Sequence, residues 1–302
     1  MQTTVLGIDI GGTHLRLGLS GEDLTLSCFE MASSTFLNGT DAPYRLADFI
    51  RDYLKRMDCI PKAVSIGFPS TLDRARRRLL STPNIAGLND VPMVDILQEQ
   101  LNIPTFIDRD VNLLFLYDCR HFGLTGSGII LGCYIGTGLG NVISINGEIL
   151  IGKNGVAAEL GHIPAWGRED ECPCGNRGCV EMFASGKHLK EICDMHFPGT
   201  PLGELFLRNS GHELIREYVD GLSLPIATEI NLMDPDYVLL GGGVLQMEGF
   251  PRPYLEECIL RHARKPYPAQ GLQLRYSQQA QENGVIGAAI RAYRELKKAR
   301  TQ

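Results

Sequence analysis

The chain has 302 residues, with 29 Lys and Arg against 35 Asp and Glu, for a formal net charge of −6. That length can bury a core without disulfide or metal staples, and it favours two domains over one. A hydrophobic content of 44% excludes a disordered chain, and an acidic balance without a basic stripe argues against nucleic acid as the main partner. Met1 to Val5 carries no positive segment of a secretory signal, so a soluble cytoplasmic protein is expected.

Thr3 to Ile10 reads as a short apolar strand, Gly11-Gly12 as a turn, and His14 to Ser20 as the second arm of a hairpin. Apolar residues from Asp41 to Met57 fall at helical spacing. Ala63 to Phe68 is a buried strand. Thr105 to Ile107 is another, and it delivers Asp108-Arg109-Asp110 to the start of a helix over Val111–His121. The uncharged stretch Gly126 to Gly147 holds seven glycines and alternating patches, which predicts a hairpin, with a membrane span as the remote alternative. Glu213 to Met233 reads as helix with a break or kink at Pro225. Tyr237 to Leu240 is a strand running into Gly241-Gly242-Gly243, and Gly284 to Lys298 is an amphipathic helix. Tyr134-Ile135-Gly136-Thr137-Gly138 echoes Asp9-Ile10-Gly11-Gly12-Thr13, which suggests two related α/β domains, divided near residue 120, with a cleft between them.

Three glycine clusters thus lie at strand ends, where open α/β sheets bind ligands and where backbone N–H groups can approach a phosphate. Asp9 would face the same phosphates through a shared Mg²⁺, and Thr13 and Thr137 add hydroxyls. The bland alternative for each cluster is a hairpin turn with no ligand. Gly147 to Asn154 nearly spells a Walker A loop, but Asn154 stands where Ser or Thr should hold Mg²⁺.

Nine cysteines include a cluster at Cys172, Cys174 and Cys179. With His162 they form a tetrahedral Zn²⁺ set in which no position remains for a catalytic water, so the zinc is expected to be structural; a disulfide plus a free thiol is the alternative. Glu159 and Glu181 flank this set, either as solvated loop acids or as carboxylates that read a polyhydroxylated substrate, with the second imidazole nitrogen free to join them. Asp110 is either a helix N-cap or a general base, and a helix start is expected to keep it ionised.

Asp9-Ile10-Gly11-Gly12-Thr13, Arg109-Asp110-Val111-Asn112, Glu159-Leu160-Gly161-His162, the run from Cys172 to Glu181, and Leu240-Gly241-Gly242-Gly243-Val244 together resemble the ROK family of sugar kinases and repressors, in the family's order. The resemblance implies an α/β, two-domain actin-like ATPase fold (hexokinase-type, ribonuclease H-like). It implies a small domain of residues 1–119 rejoined by a last helix at about 286–302, a larger domain of residues 120–285 with the zinc loop, and a homodimer. It makes Asp110 the catalytic base and assigns Glu159, His162, Glu181, Asn84 and Thr82 to the sugar. Asp9 would serve Mg²⁺, and Gly11, Gly12, Thr13, Gly136, Thr137, Gly138, Gly241, Gly242 and Gly243 would serve ATP. The implied reaction is ATP-dependent phosphorylation of the 6-hydroxyl of an aldohexose, allose first; glucose, mannose, fructose and N-acetylmannosamine are the alternatives. A sugar-responsive regulator is disfavoured, because only eight residues precede Asp9. Two departures stand out. Arg109 replaces the family's usual Asn, exchanging a donor–acceptor for a charged donor that would read a ring hydroxyl differently. Ser70 stands where kinases often have Gly.

Overall fold

The computed structural model describes residues 4–301, apart from residues 84, 125, 127 and 279. The chain divides into two compact units. One comprises Met1–Thr125, Ile151–Ala157 and Ala280–Gln302; the other comprises Gly126–Leu150 and Ala158–Gln279.

The first unit opens with β1 (Val5–Ile10), β2 (His14–Ser20) and β3 (Leu26–Ser33), followed by α1 (Ala42–Arg56) and β4 (Val64–Phe68). A short hairpin of β5 (Thr71–Leu72) and β6 (Leu79–Ser81) leads to α2 (Met93–Leu101), β7 (Thr105–Arg109) and α3 (Asp110–His121). The sheet order is β3-β2-β1-β4-β7. β1, β2 and β3 pair antiparallel, whereas β1, β4 and β7 are parallel. The parallel strands are near-continuous apolar runs, as strands covered on both faces must be. Leu46, Ile50 and Tyr53 recur at helical spacing on α1 and join Ile8, Leu17 and Ile66 in one buried cluster. The sequence reading assigns nothing to β3. Its residues do not alternate cleanly, its pairing with β2 slips beside Leu17, and Cys28 adopts φ +53°.

The second unit carries β8 (Ile129–Ile135), β9 (Leu139–Ile145), β10 (Glu148–Ile149), α4 (Gly186–His196), α5 (Leu205–Asn209), α6 (Glu213–Met233), β11 (Tyr237–Gly241), α7 (Arg252–His262) and β12 (Leu274–Tyr276). Its sheet order is β10-β9-β8-β11-β12, again three antiparallel strands followed by two parallel partners. The uncharged glycine-rich stretch is therefore the β8–β9 hairpin. Among the described residues no helix is long and apolar enough to cross a membrane. Of the break or kink expected at Pro225, the break does not occur: α6 is helical without interruption from Glu213 to Met233. Ile215, Tyr218, Val219, Leu222, Ile226 and Ile230 are all buried along it. Burying each is worth about 1.5–3 kcal/mol, which outweighs the roughly 3 kcal/mol that an interior proline costs.

The last helix, α8 (Asn283–Thr301), belongs to the first unit. Val285, Ala288, Ala289 and Ala292 are buried on it, and the Tyr293 hydroxyl donates to the Ser20 carbonyl at 2.7 Å. Arg291 Nε lies 3.3 Å from Asp108 Oδ2, while Arg76 Nε lies 3.6 Å from Asp108 Oδ1 and Asn112 Nδ2 donates to that oxygen at 2.7 Å. Asp108 is 5% exposed and Arg76 7%, so this cluster is a buried ion network. Removing one partner of such a network strands charge in a low-dielectric interior. Asp108→Ala is expected to lower unfolding free energy by about 3 kcal/mol, measured by urea denaturation; a loss under about 1 kcal/mol would show that the network is dispensable.

Candidate functional site

In the first unit, β1 and β7 flank β4 and bring two carboxylates to one end of the sheet. Asp9 sits near the end of β1 and Asp110 directly follows β7. Gly67 of β4 lies between them: a Cβ there would stand 3.2 Å from Asp110 Cα and 3.5 Å from Asp9 Oδ1. Asp9 is 15% exposed at its side chain, with Arg16 Nη1 3.7 Å away. Burial pushes the Asp9 carboxyl up to about 6, partly offset by the Arg16 charge.

Asp110 departs from expectation in two ways. Arg109 occupies the cap position, and Asp110 is the first helical residue, its Oδ1 accepting from the Val111 N–H at 2.8 Å. The helix start also fails to keep it readily ionised. Burial, followed by the negative charge of Asp9, pushes Asp110 up to about 7, against smaller opposing contributions from the Val111 N–H and Arg109. A carboxylate so tuned takes a proton near neutral pH, and two facing carboxylates form a hard-oxygen site of the kind Mg²⁺ uses together with phosphate oxygens.

The Gly11–Thr13 turn joins β1 to β2, with the Gly11 N–H donating to the His14 carbonyl at 2.8 Å. Arg109 Nη1 donates to the Ala157 carbonyl at 3.3 Å, and Arg76 Nη1 to the Gly155 carbonyl at 3.1 Å. Two arginines thus fasten the 151–157 segment inside the first unit. Arg76 had no distinguishing signal in sequence: it stands among Arg74, Arg77 and Arg78, yet it adopts φ +54° and is buried. Thr82 is buried, its hydroxyl 2.7 Å from Ser70 Oγ and 3.1 Å from the Leu88 carbonyl that accepts from it. Ser70 Oγ also donates to the Ser81 carbonyl at 2.8 Å, so the serine that departs from the family pattern braces the hairpin loop. Asn84 lies outside the described residues.

In the second unit, Gly136–Gly138 joins β8 to β9, and Gly241–Gly243 ends β11. The two loops adjoin: a Cβ on Gly242 would lie 2.4 Å from the Ile135 carbonyl oxygen. The N–H groups of Gly186 and Lys187, at the start of α4, donate to the carbonyls of Gly136 and Thr137 at 2.8 and 3.0 Å.

The same unit carries the metal-type cluster. One donor atom from each of His162, Cys172, Cys174 and Cys179 falls within 4.8 Å of the others. Cys172 Sγ is 3.6 Å from His162 Nδ1, and Cys174 Sγ is 3.7 Å from Cys179 Sγ. A tetrahedral zinc with ordinary bond lengths requires S···N and S···S edges of about 3.6 and 3.8 Å, so the donor set fits that ion, whereas a disulfide requires about 2.05 Å. The turn closes because Gly178 has φ +69° and sits where a Cβ would meet the Arg168 carbonyl oxygen at 2.3 Å. With Nδ1 on the thiol side, His162 Nε2 faces outward, 3.8 Å from Glu159 Oε2. Glu181, two residues after Cys179, instead turns back, and its Oε2 accepts from the Leu139 N–H at 2.8 Å.

The ROK family model matches residues 5–295. The chain belongs to the ROK family. A glucokinase of Thermotoga maritima is 26% identical over 307 residues, covering 94% of this chain and 96% of that protein. An N-acetyl-D-glucosamine kinase of Photobacterium profundum is 30% identical over 263 residues, covering 80% and 84%. The crystal structure of a ROK hexokinase from Thermus thermophilus superimposes with a TM-score of 0.79 at 27% identity, covering 98% of this chain and 100% of that one. The ROK chain therefore has the two-domain actin-like ATPase fold, and its two sheets of like strand order are the repeated element of that fold.

Two measurements test the site. Cys174 is exposed, so Cys174→Ser removes a thiol without opening the core. Metal analysis should find zinc in the wild type and well under a tenth as much in the variant; full retention would remove Cys174 from the donor set. For Asp110, a folded value near 7 against 3.8 in the unfolded chain means that folding disfavours its ionised form, so stability is lost as pH rises through that window. In magnesium-free buffer, Asp110→Asn should melt a few degrees above wild type at pH 8, with the gain shrinking toward pH 4. A gain independent of pH would contradict this.

Proposed function

We propose that this ROK protein transfers the terminal phosphoryl group of ATP to the 6-hydroxyl of an aldohexose, with D-allose as its sugar. The observation that carries the reading is the division of labour at His162: Nδ1 faces the thiols, and Nε2 stands beside the Glu159 carboxylate. That pairing offers a donor and an acceptor side by side, which suits hydroxyls that each donate and accept. Glu181 contributes its remaining carboxylate oxygen.

The first unit supplies the proton acceptor. Asp110 takes the proton of the attacking hydroxyl, and burial keeps its basicity near neutrality. Asp9 and the phosphate oxygens would hold Mg²⁺, which supplies charge neutralisation on the phosphates when bound. The N–H groups of Gly11–Thr13, Gly136–Gly138 and Gly241–Gly243 receive the nucleotide, with Thr13 and Thr137 adding hydroxyls. Since phosphoryl transfer proceeds through a loose transition state, these residues act mainly by position and charge. The named relatives phosphorylate glucose or N-acetyl-D-glucosamine, which supports a sugar as acceptor and keeps other hexoses and N-acetylhexosamines as the second reading. Allose differs from glucose only at C3, and Arg109, a charged donor in place of the family's usual Asn, is the residue that favours it.

Asp110→Asn should lower kcat by roughly 10²–10⁴ while sugar still binds; turnover at the wild-type rate would exclude Asp110 as the base. A coupled assay across allose, glucose, mannose, fructose, N-acetylmannosamine and N-acetylglucosamine should give allose the highest kcat/KM. The preference should narrow in Arg109→Asn; a variant that keeps the wild-type ranking and ratios would remove Arg109 from sugar selection.

A further inference from the structure

Glu181 occupies a position that a sugar ligand alone does not require. It stands in the single helical turn Val180–Met182, immediately after the donor Cys179, and the Val180 N–H is tied to the Ile163 carbonyl at 3.0 Å. The metal-type turn therefore holds Glu181 from both sides, through Cys179 and through the neighbour of His162. From there Oε2 accepts the Leu139 N–H at 2.8 Å, at the first residue of β9. The carboxylate also lies against Gly138, where a Cβ would meet Oε2 at 2.3 Å. Leu139 and Gly138 form the downstream end of the glycine loop. Its upstream end is held separately, by Gly186 and Lys187 on the carbonyls of Gly136 and Thr137. Glu181 is thus a fastening that joins this loop to the metal turn.

We infer that Glu181 is a positioning residue through which the zinc turn orders the Gly136–Gly138 loop for nucleotide, so that metal loading and nucleotide affinity are coupled within the second unit. The inference rests on the reading of that loop as a phosphate cradle. A loop with glycine at two of three positions has unusual freedom to lose, and any contact that fixes it before binding reduces the entropy lost when phosphate arrives. Without metal, Cys172, Cys174, Cys179 and His162 have no common partner, the turn carrying Glu181 loosens, and the Leu139 hydrogen bond is no longer held in place. Gly138 is then required for the close approach of the carboxylate as well as for phosphate.

The test is calorimetric titration with the non-hydrolysable analogue AMPPNP plus Mg²⁺, without sugar. It compares wild type, zinc-stripped wild type, Glu181→Ala with zinc content verified, the same variant stripped, and Glu181→Gln. Stripping the wild type and truncating Glu181 should each weaken nucleotide binding on the order of tenfold, the usual scale for one hydrogen bond to a charged group. Stripping the variant should add little, because both changes act on one connection. Glu181→Gln keeps an acceptor for the Leu139 N–H and should stay within about threefold of wild type. Hydrogen exchange of a peptide covering Ile135–Gly140 should quicken in the Ala variant and in the stripped wild type, but not in the Gln variant. Unchanged affinity in zinc-stripped wild type or in Glu181→Ala would overturn the inference, as would losses that simply add. If wild type itself fails to bind the analogue, the reading of the loop as a nucleotide site falls, and the inference with it.

Discussion

Four soft donor atoms drawn to one point govern the second unit. The sulfurs of Cys172, Cys174 and Cys179 and the imidazole of His162 come from a loop with little regular structure, and few apolar side chains are available there to hold it. A tetrahedral ion, which their spacing fits, would supply there what a hydrophobic core supplies elsewhere. From that point the chain runs outward in two directions. One leads back three residues to Glu159, and the other leads forward two residues to Glu181. Neither acid lies in a helix or strand long enough to orient it alone. Both flank the metal-type cluster, Glu159 beside His162 Nε2 and Glu181 on the Leu139 N–H.

The first unit solves a different problem. Asp9 and Asp110 are brought together by strand order, with Gly67 on the strand between them. Burial raises both proton affinities, and the negative charge of Asp9 raises that of Asp110 further. Directly behind them, Asp108 gathers Arg76, Arg291 and Asn112. Two carboxylates two residues apart thus have opposite surroundings: Asp108, in β7, is neutralised by fixed partners, while Asp110, at the start of α3, has the Asp9 carboxylate as a neighbour.

Much of this was legible because the informative residues lie close together in the chain. The zinc set spans Cys172 to Cys179 plus one nearby histidine, and glycine marks its turns. The hairpins β1–β2 and β8–β9 could be read because strand, glycine turn and strand are contiguous. What escaped depends on distant parts of the fold. Arg76 looks solvated within its basic run until its backbone turns it toward Gly155, far along the chain. Pro225 looks like a helix breaker until the buried face of α6 is counted. The proton affinity of Asp110 could not be had from its place on a helix, since strand order, not sequence separation, sets its distance from Asp9. The burial of Thr82 likewise depends on residues away from it in the chain, since Ser70 and Leu88 engage its hydroxyl.

The placement of α8 has a consequence for how the polypeptide matures on the ribosome. The sheet of the first unit lacks the cover of Val285, Ala288, Ala289 and Ala292, and Asp108 lacks Arg291, until the whole of the second unit has been synthesised. Domains ordinarily fold from the N-terminus as they leave the tunnel. Here the order is inverted: the second unit, which ends at Gln279, has all of its residues in hand before the first receives Ala280–Gln302, and the sheet of the first waits meanwhile with apolar surface uncovered.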